Sequence, residues 1–220
     1  MSPRSRARIT GGVYLLFFVT AILGAVVLPG STSSIQAHEA LFRLGYALTV
    51  ISTAFYVALA ALFYQLFMPA SRTIALMAVV FNLMGSTLAA LQSVFLLAPL
   101  AIVGGAPGAF KADQLQALAQ ILLDMSSQAG NVAIVFFGVF NLLVGYLIFR
   151  STFMPRVLGV LMAISAPGWL VFLYPPLANY LLVPIEVTGF VAEAVLMLWL
   201  LAMGVNSQRW KEQAALASIG

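Results

Sequence analysis

Apolar residues fall in six long runs along the chain, and short polar or basic segments separate them. A helix rises about 1.5 Å per residue, so about 20 apolar residues cross a hydrocarbon core about 30 Å thick. The pattern therefore predicts an all-α protein, a polytopic bundle of six transmembrane helices. The predicted spans are residues 9–28, 44–67, 73–97, 130–149, 157–173 and 183–203.

Composition agrees with a membrane protein. Of the 220 residues, 63% are hydrophobic and 7% are charged, which lies far outside the range of soluble globular domains. The six spans occupy most of the chain and leave no room for a soluble domain. We therefore expect residues 1–220 to form a single integral membrane domain whose first partner is the lipid bilayer.

An amphipathic stretch precedes the fourth span. Residues 113–129 carry apolar side chains at helical spacing, and we expect them to form a helix that continues into that span. A continuous helix of this kind is about 55 Å long, more than a bilayer core needs. Its first half is therefore expected to stand outside the membrane as a lid, or as a simple projection, or to lie along the surface after a bend near Gly130.

The basic residues indicate an orientation. Eight of them fall in segments on one side of the six spans, whereas only Arg43 and Lys111 fall on the other. Cytoplasmic segments carry the excess of Lys and Arg, so both termini are expected to be cytoplasmic. The net charge of +4 then reflects orientation and contact with anionic lipid, and does not indicate binding to nucleic acid. The eight residues are Arg4, Arg6, Arg8, Arg72, Arg150, Arg156, Arg209 and Lys211.

The chemical inventory is narrow. The chain has no cysteine and one histidine, which excludes disulfides, thiolate nucleophiles and cysteine-held metal clusters. Motifs for phosphate loops, zinc proteases and serine hydrolases are also missing from the sequence. We expect no cofactor and no metal, and any chemistry must use carboxylates, amides, hydroxyls and tyrosines.

The last span contains two carboxylates, Glu186 and Glu193. A charge inside a membrane span costs at least about 2.5 kcal/mol on insertion scales, and such residues usually face protein or water. Counting along each span places Glu193 at mid-depth, where other spans also carry polar groups. These groups are expected to turn inward and meet, as structural contacts or as a ligand site. They are Asn82, Asn141, Ser165, Ser52, Thr53 and Tyr56.

A second polar layer is predicted nearer the outer side. Glu186 lies seven residues before Glu193, on nearly the same helix face and about 10 Å away. Asp124, Gln128 and Asn131 share one face of the helix that leads into the fourth span. Together these residues predict a polar funnel from the outer surface toward Glu193. Acidic residues at a wet helix end are also common as purely structural features.

Several motifs resemble one family. The segments are LFRLG at 41–45, FFG at 136–138, GYLIFRS at 145–151, PRVLGV at 155–160, and Glu193 ahead of LWLL at 198–201. The chain thereby resembles, over nearly its whole length, a bacterial membrane-protein family known as domain of unknown function 4386. The resemblance implies six transmembrane helices in a bacterial inner membrane and no particular activity. Many members carry His where this chain has Phe140.

Two classes of function are open at this point. The protein binds or transports a small lipophilic or cationic molecule, with Glu193 as proton carrier or counter-charge. Alternatively it is a membrane-embedded isomerase or cyclase for a lipid or isoprenoid, with Glu193 or Asp124 as the general acid. A structural or regulatory subunit is a third interpretation. The sequence indicates no oligomeric state.

Overall fold

The computed structural model describes residues 1–28, 38–105 and 111–217. Within these ranges the chain forms eight α-helices and one short 3-10 turn, and it forms no strand. The long helices are α1 (Pro3–Val27), α2 (Glu39–Phe67), α3 (Arg72–Gly105), α4 (Ala112–Arg150), α5 (Arg156–Leu170) and α7 (Leu182–Ala202). A 3-10 turn (Val171–Leu173) follows α5, and two short helices are α6 (Pro175–Tyr180) and α8 (Ser207–Ala217).

Among the described residues, six helices are long and apolar enough to cross a membrane. They are α1, α2, α3, α4, α5 together with its 3-10 turn, and α7. The prediction of an all-α bundle with six spans is confirmed. These elements are helical because backbone groups in hydrocarbon must be satisfied within the segment, and long runs of Leu, Ala, Val and Phe allow that.

Two helices extend well beyond a membrane span. α4 is one uninterrupted helix of 39 residues, about 58 Å long, and it passes through Gly130 without a break. α3 continues past the predicted end of its span at residue 97, through Pro99 to Gly105. A proline removes only one backbone donor, and α4 packs alongside to support the extended turns. Before the extension begins, the Ser126 hydroxyl of α4 donates to the Gln92 carbonyl of α3 over 2.9 Å.

The six long helices form a closed ring in chain order. Each packs on its neighbours in sequence, and α7 completes the ring by packing on both α5 and α1. Aromatic side chains from α1, α2 and α4 fill the middle of the ring. Among them the Tyr56 ring lies edge-on to Phe140, with centroids 5.7 Å apart, and Phe63 contacts the same phenylalanine. Inward-facing side chains of α7 therefore meet α1 and α4 at the centre of the bundle.

Glycines set the closest helix crossings. A β-carbon at Gly145 of α4 would meet the Gly159 carbonyl of α5, and one at Gly159 would meet the Gly145 carbonyl. A β-carbon at Gly11 of α1 would collide with the backbone of α7 at Leu200 and Leu201. Small residues let membrane helices approach in this way. α1 and α7 are thus held together near one end of the bundle.

That end carries the arginines at the helix termini, and we call it the basic end; it includes Arg6, Arg72, Arg150 and Arg156. The amphipathic helix α8 lies across it. The Trp210 indole donates to the Leu66 carbonyl of α2 over 2.8 Å. Gln213 accepts from the Thr152 backbone in the loop between α4 and α5. The orientation of the basic end toward the cytoplasm stays a prediction.

Candidate functional site

Glu193 is held at the centre of the bundle by two hydrogen bonds from different helices. The Tyr14 hydroxyl of α1 donates to Oε2 over 2.8 Å, and the Asn141 amide of α4 donates to Oε1 over 2.7 Å. Tyr14 is 0% exposed and Asn141 is 1% exposed, whereas Glu193 is partly exposed. Each carboxylate oxygen accepts one bond and keeps a second acceptor direction for another group.

The positions of these three residues along their helices explain why their side chains are in contact. Glu193 is close to the middle of α7, and Tyr14 is close to the middle of α1. Asn141 lies nine residues before the end of α4, or about 14 Å from the basic end. All three side chains therefore reach the same depth. The Tyr14 ring is fixed edge-on to Phe63, with centroids 5.9 Å apart.

A cavity of about 580 Å³ lies beside this carboxylate. Its wall is made chiefly by α1 and α7 on the half of the bundle away from the basic end. Exposed apolar residues, including Ile22, Val187 and Val191, lie on its rim, so the cavity opens at the side of the bundle. The lining residues are Phe17, Phe18, Ala21, Ile22, Ala25, Tyr56, Ile134, Phe137, Asn141, Trp169, Glu186, Val187, Phe190, Val191 and Glu193.

Aromatic rings form much of the inner wall. Phe17 of α1 stacks on Tyr56 of α2 with centroids 4.4 Å apart, and Phe137 of α4 meets Tyr56 edge-on at 4.8 Å. Phe18 and Phe190 touch across the gap between α1 and α7 at 5.4 Å. Offset and edge-on arrangements are the favourable ones for such rings. The wall is therefore supported by packing that does not require a ligand.

Trp169 closes the side of the cavity formed by α5. A β-carbon at Gly189 of α7 would overlap the Trp169 indole, and one at Gly138 of α4 would meet its Cβ. The tryptophan thus fits between two helices because both present glycine to it. Its placement brings a large aromatic surface to the cavity wall.

Two buried polar atoms on cavity-lining residues lack a partner within the described part of the chain. They are Oδ1 of Asn141, an acceptor, and Nε1 of Trp169, a donor. Buried polar groups are nearly always paired with protein or ordered water. Two walls of the cavity, on α4 and α5, therefore carry a polar atom with unused hydrogen-bonding capacity.

Comparison with known proteins gives one result. Residues 9–204 match the family described as Domain of unknown function (DUF4386). The chain belongs to the DUF4386 family. The predicted resemblance is thereby confirmed. No curated protein matches this DUF4386 chain, and no solved structure does.

Four residues that the sequence predicted for the site line one cavity in the DUF4386 protein. They are Glu193, Glu186, Asn141 and Tyr56. Glu193 and Asn141 are in direct contact, as the common depth predicted. Glu186 is exposed at the mouth of the cavity, about 10 Å along α7 from Glu193.

The other predicted residues lie elsewhere. Asp124 and Gln128 are exposed on α4, and Asp124 accepts from Gln120 over 3.0 Å. Asn131 is partly buried. Neither these three nor Asn82 line the cavity beside Glu193. Asn82 is buried on α3 and accepts from Ser86, while its Nδ2 lacks a partner among the described residues.

The hydroxyls in the predicted layer bond to their own helices. Ser52 and Thr53 donate to the Thr49 carbonyl of α2, and Ser165 donates to the Met162 carbonyl of α5. They contribute no bond to Glu193. Within the described residues, no group of three or more His, Cys, Asp or Glu could hold a metal ion.

Sequence reasoning missed two residues of the site, Tyr14 and Trp169. Tyr14 lies at the same depth as Glu193 because α1 begins at Pro3, whereas counting from the predicted span start at residue 9 places Tyr14 near the inner end. Its surroundings of Leu, Val and Phe made that span look purely apolar. The place of Trp169 depends on Gly138 and Gly189 in two distant helices, and no local pattern marks it.

Two of the three arginines in the family motifs, Arg43 and Arg156, make contacts away from the cavity. Arg43 pairs with Glu39 over 2.7 Å at the exposed start of α2. The Arg156 guanidinium lies 5.5 Å from the centroid of the Phe149 ring at the basic end. Both contacts are local to helix ends.

Proposed function

We propose that the protein binds a small lipophilic or cationic molecule in the cavity between α1 and α7. The observation that carries the proposal is the Glu193 carboxylate at the inner end of an aromatic cavity. Ligand sites are typically apolar concavities with a few polar groups that fix orientation. The bonds from Tyr14 and Asn141 hold the carboxylate in place and would reduce the reorganisation that binding requires.

The size and wall of the cavity support this proposal. Its volume of about 580 Å³ lies within the usual range for ligand pockets, roughly 300–1,000 Å³. Only Asn141, Tyr56, Trp169 and the two glutamates interrupt its apolar lining with polar atoms. A ligand would place its polar end at Glu193 and its apolar part against the rings.

The exposed residues at the cavity opening support entry of a ligand from the bilayer. Val187 is 56% exposed and Phe190 is 50% exposed, and both belong to the cavity wall and the membrane-facing side of α7. If the eight clustered basic residues face the cytoplasm of a bacterial inner membrane, the cavity lies in the outer half of the bundle. A molecule dissolved in that leaflet would enter sideways, and transport would carry it between leaflet and outer surface.

A second candidate function is acid–base catalysis on a lipid or isoprenoid. The observation that favours it is the direct contact between the Tyr14 hydroxyl and the Glu193 carboxylate. Two adjacent groups that can exchange a proton, at the end of an apolar cavity, are what an isomerase would need. Asp124, the other predicted acid, is exposed and outside the cavity, so it has no part in this candidate.

Native mass spectrometry of the protein released from mild detergent tests the proposal. Wild type, Glu193→Gln and Asp124→Asn are compared, and bound molecules are extracted and identified. Asp124→Asn is the matched control, because it neutralises an exposed carboxylate outside the cavity. We expect one class of small molecule in the wild type and the control, and its loss in Glu193→Gln.

Equal ligand content in all three proteins would contradict a binding role for Glu193. A wild type that is free of any specific molecule, with Glu193→Gln equally stable, would instead favour a structural subunit. Recovery of a chemically altered lipid from the wild type and Asp124→Asn, and of the unaltered lipid from Glu193→Gln, would favour the enzyme. The three interpretations therefore predict different spectra.

A further inference from the structure

The charges around the cavity are of one sign. Glu193 lies at its inner end and Glu186 at its mouth, and the described lining residues include no Lys, Arg or His. Both carboxylates project from the same face of α7, about 10 Å apart. Arg43 and Lys111 lie at the same end of the bundle, but Arg43 pairs with Glu39 and neither basic residue lines the cavity. The charges on the cavity wall therefore favour a positively charged ligand.

The aromatic residues of the wall also favour a positively charged ligand. Six of the lining residues are Phe, Tyr or Trp, and they come from α1, α2, α4, α5 and α7. The face of an aromatic ring is electronegative and attracts a cation within about 6 Å, most strongly when water is excluded. Leu or Ile would line a cavity for a neutral hydrocarbon equally well. These residues are Phe17, Phe18, Tyr56, Phe137, Trp169 and Phe190.

A compact hydrated cation would fit this wall poorly. The apolar rings would strip its water shell, and only one carboxylate lies at the inner end to replace that shell. An ammonium or phosphonium centre with apolar substituents is weakly hydrated, and its substituents would pack on the rings. Its charge would face the Glu193 carboxylate, and this electrostatic contact needs no hydrogen-bond donor on the ligand.

We infer that the cavity selects lipophilic cations, with an ammonium or phosphonium centre placed between the Glu193 carboxylate and the aromatic wall. This inference rests on the proposed binding function and names the ligand class for that cavity. Glu186 provides a first, exposed electrostatic contact at the mouth. Glu193 provides the final contact at the inner end.

The test uses methyltriphenylphosphonium and its neutral isostere, in which carbon replaces phosphorus. Dissociation constants for both are measured in the same detergent, for wild type, Glu193→Gln and Asp124→Asn. The ratio of the two constants within each protein is the quantity compared, because partitioning into micelles then cancels between proteins. We expect the cation preference to fall by about tenfold or more in Glu193→Gln and to be unchanged in Asp124→Asn.

The outcomes separate this inference from the proposed function. Comparable binding of the cation and the isostere, with the same ratio in wild type and Glu193→Gln, would overturn cation selection and leave lipophilic binding in place. Absence of binding for both probes, together with no co-purifying molecule, would overturn both. If Glu193→Gln fails to fold, the ratio of the two dissociation constants is measured in Glu186→Gln and in the wild type. A wild-type ratio near one contradicts the inference by itself.

Discussion

Replacing Tyr14 with Phe isolates the bond that links α1 to Glu193. The substitution removes only the hydroxyl, which donates to Oε2 over 2.8 Å, and keeps a ring that packs against Phe18 and Phe63. A hydrogen bond to a charged group is worth about 1.5–3 kcal/mol in soluble proteins. Interhelical bonds in membranes average about 0.6 kcal/mol and reach about 1.7 kcal/mol. We therefore expect an interaction energy of about 1–2 kcal/mol between the two residues.

A double-mutant cycle measures this energy. Tyr14→Phe, Glu193→Met and the double variant are unfolded in mixed micelles, and the free energies of unfolding are extrapolated to zero denaturant. Methionine removes the carboxylate acceptors while keeping a chain of similar length. Tyr46→Phe combined with Glu193→Met is the matched control, because Tyr46 lies along a different cavity between α2 and α3. The control pair should be additive.

An interaction energy below about 0.3 kcal/mol for the Tyr14 cycle would refute the reasoning, since that is the usual error of additivity. It would mean that the hydroxyl finds an equal partner when the carboxylate is gone. The carboxylate would then be held by Asn141 without an energetic contribution from the Tyr14 hydroxyl.

Two further substitutions test the packing around the site. Gly189→Ala should lower the free energy of unfolding by about 1–3 kcal/mol, because the added methyl group overlaps the Trp169 indole. Gly12→Ala, whose added methyl group meets nothing within 4 Å, should be neutral or stabilising. Equal thermal shifts for the two variants would contradict the placement of Trp169. Trp210→Phe should release α8 from the end of α2, so hydrogen exchange at residues 207–217 should quicken while the six spans keep their protection.

The depth of polar residues in the spans proved the most informative feature of the sequence. Counting along each apolar run placed Glu193 and Asn141 at one level, and they form a direct hydrogen bond. That success has a physical basis, because the bilayer fixes helix length and excludes unsatisfied polar groups. Tyr14 was missed because the predicted first span begins at residue 9, whereas α1 begins at Pro3, and this difference shifts the counted depth of Tyr14 toward the span end.

The rotation of each helix about its axis could not be predicted. Helical spacing correctly grouped Asp124 and Gln128 on a common face of α4, but that face is exposed and does not join the cavity. Which face turns inward depends on close contacts such as Gly145 with Gly159, which join helices from separate parts of the chain. The predicted polar funnel therefore combined residues whose helix faces the sequence does not orient toward or away from the centre of the bundle.

Cysteine labelling in native membranes tests most directly whether the cavity holds a ligand anchored on Glu193. The chain has no cysteine, so Ala21→Cys places a unique thiol on the cavity wall, and Val19→Cys places one on the exposed side of the same helix. We expect the rate of maleimide labelling at residue 21, relative to residue 19, to rise severalfold when Glu193→Gln is added. An unchanged ratio would contradict an occupied cavity that depends on this carboxylate.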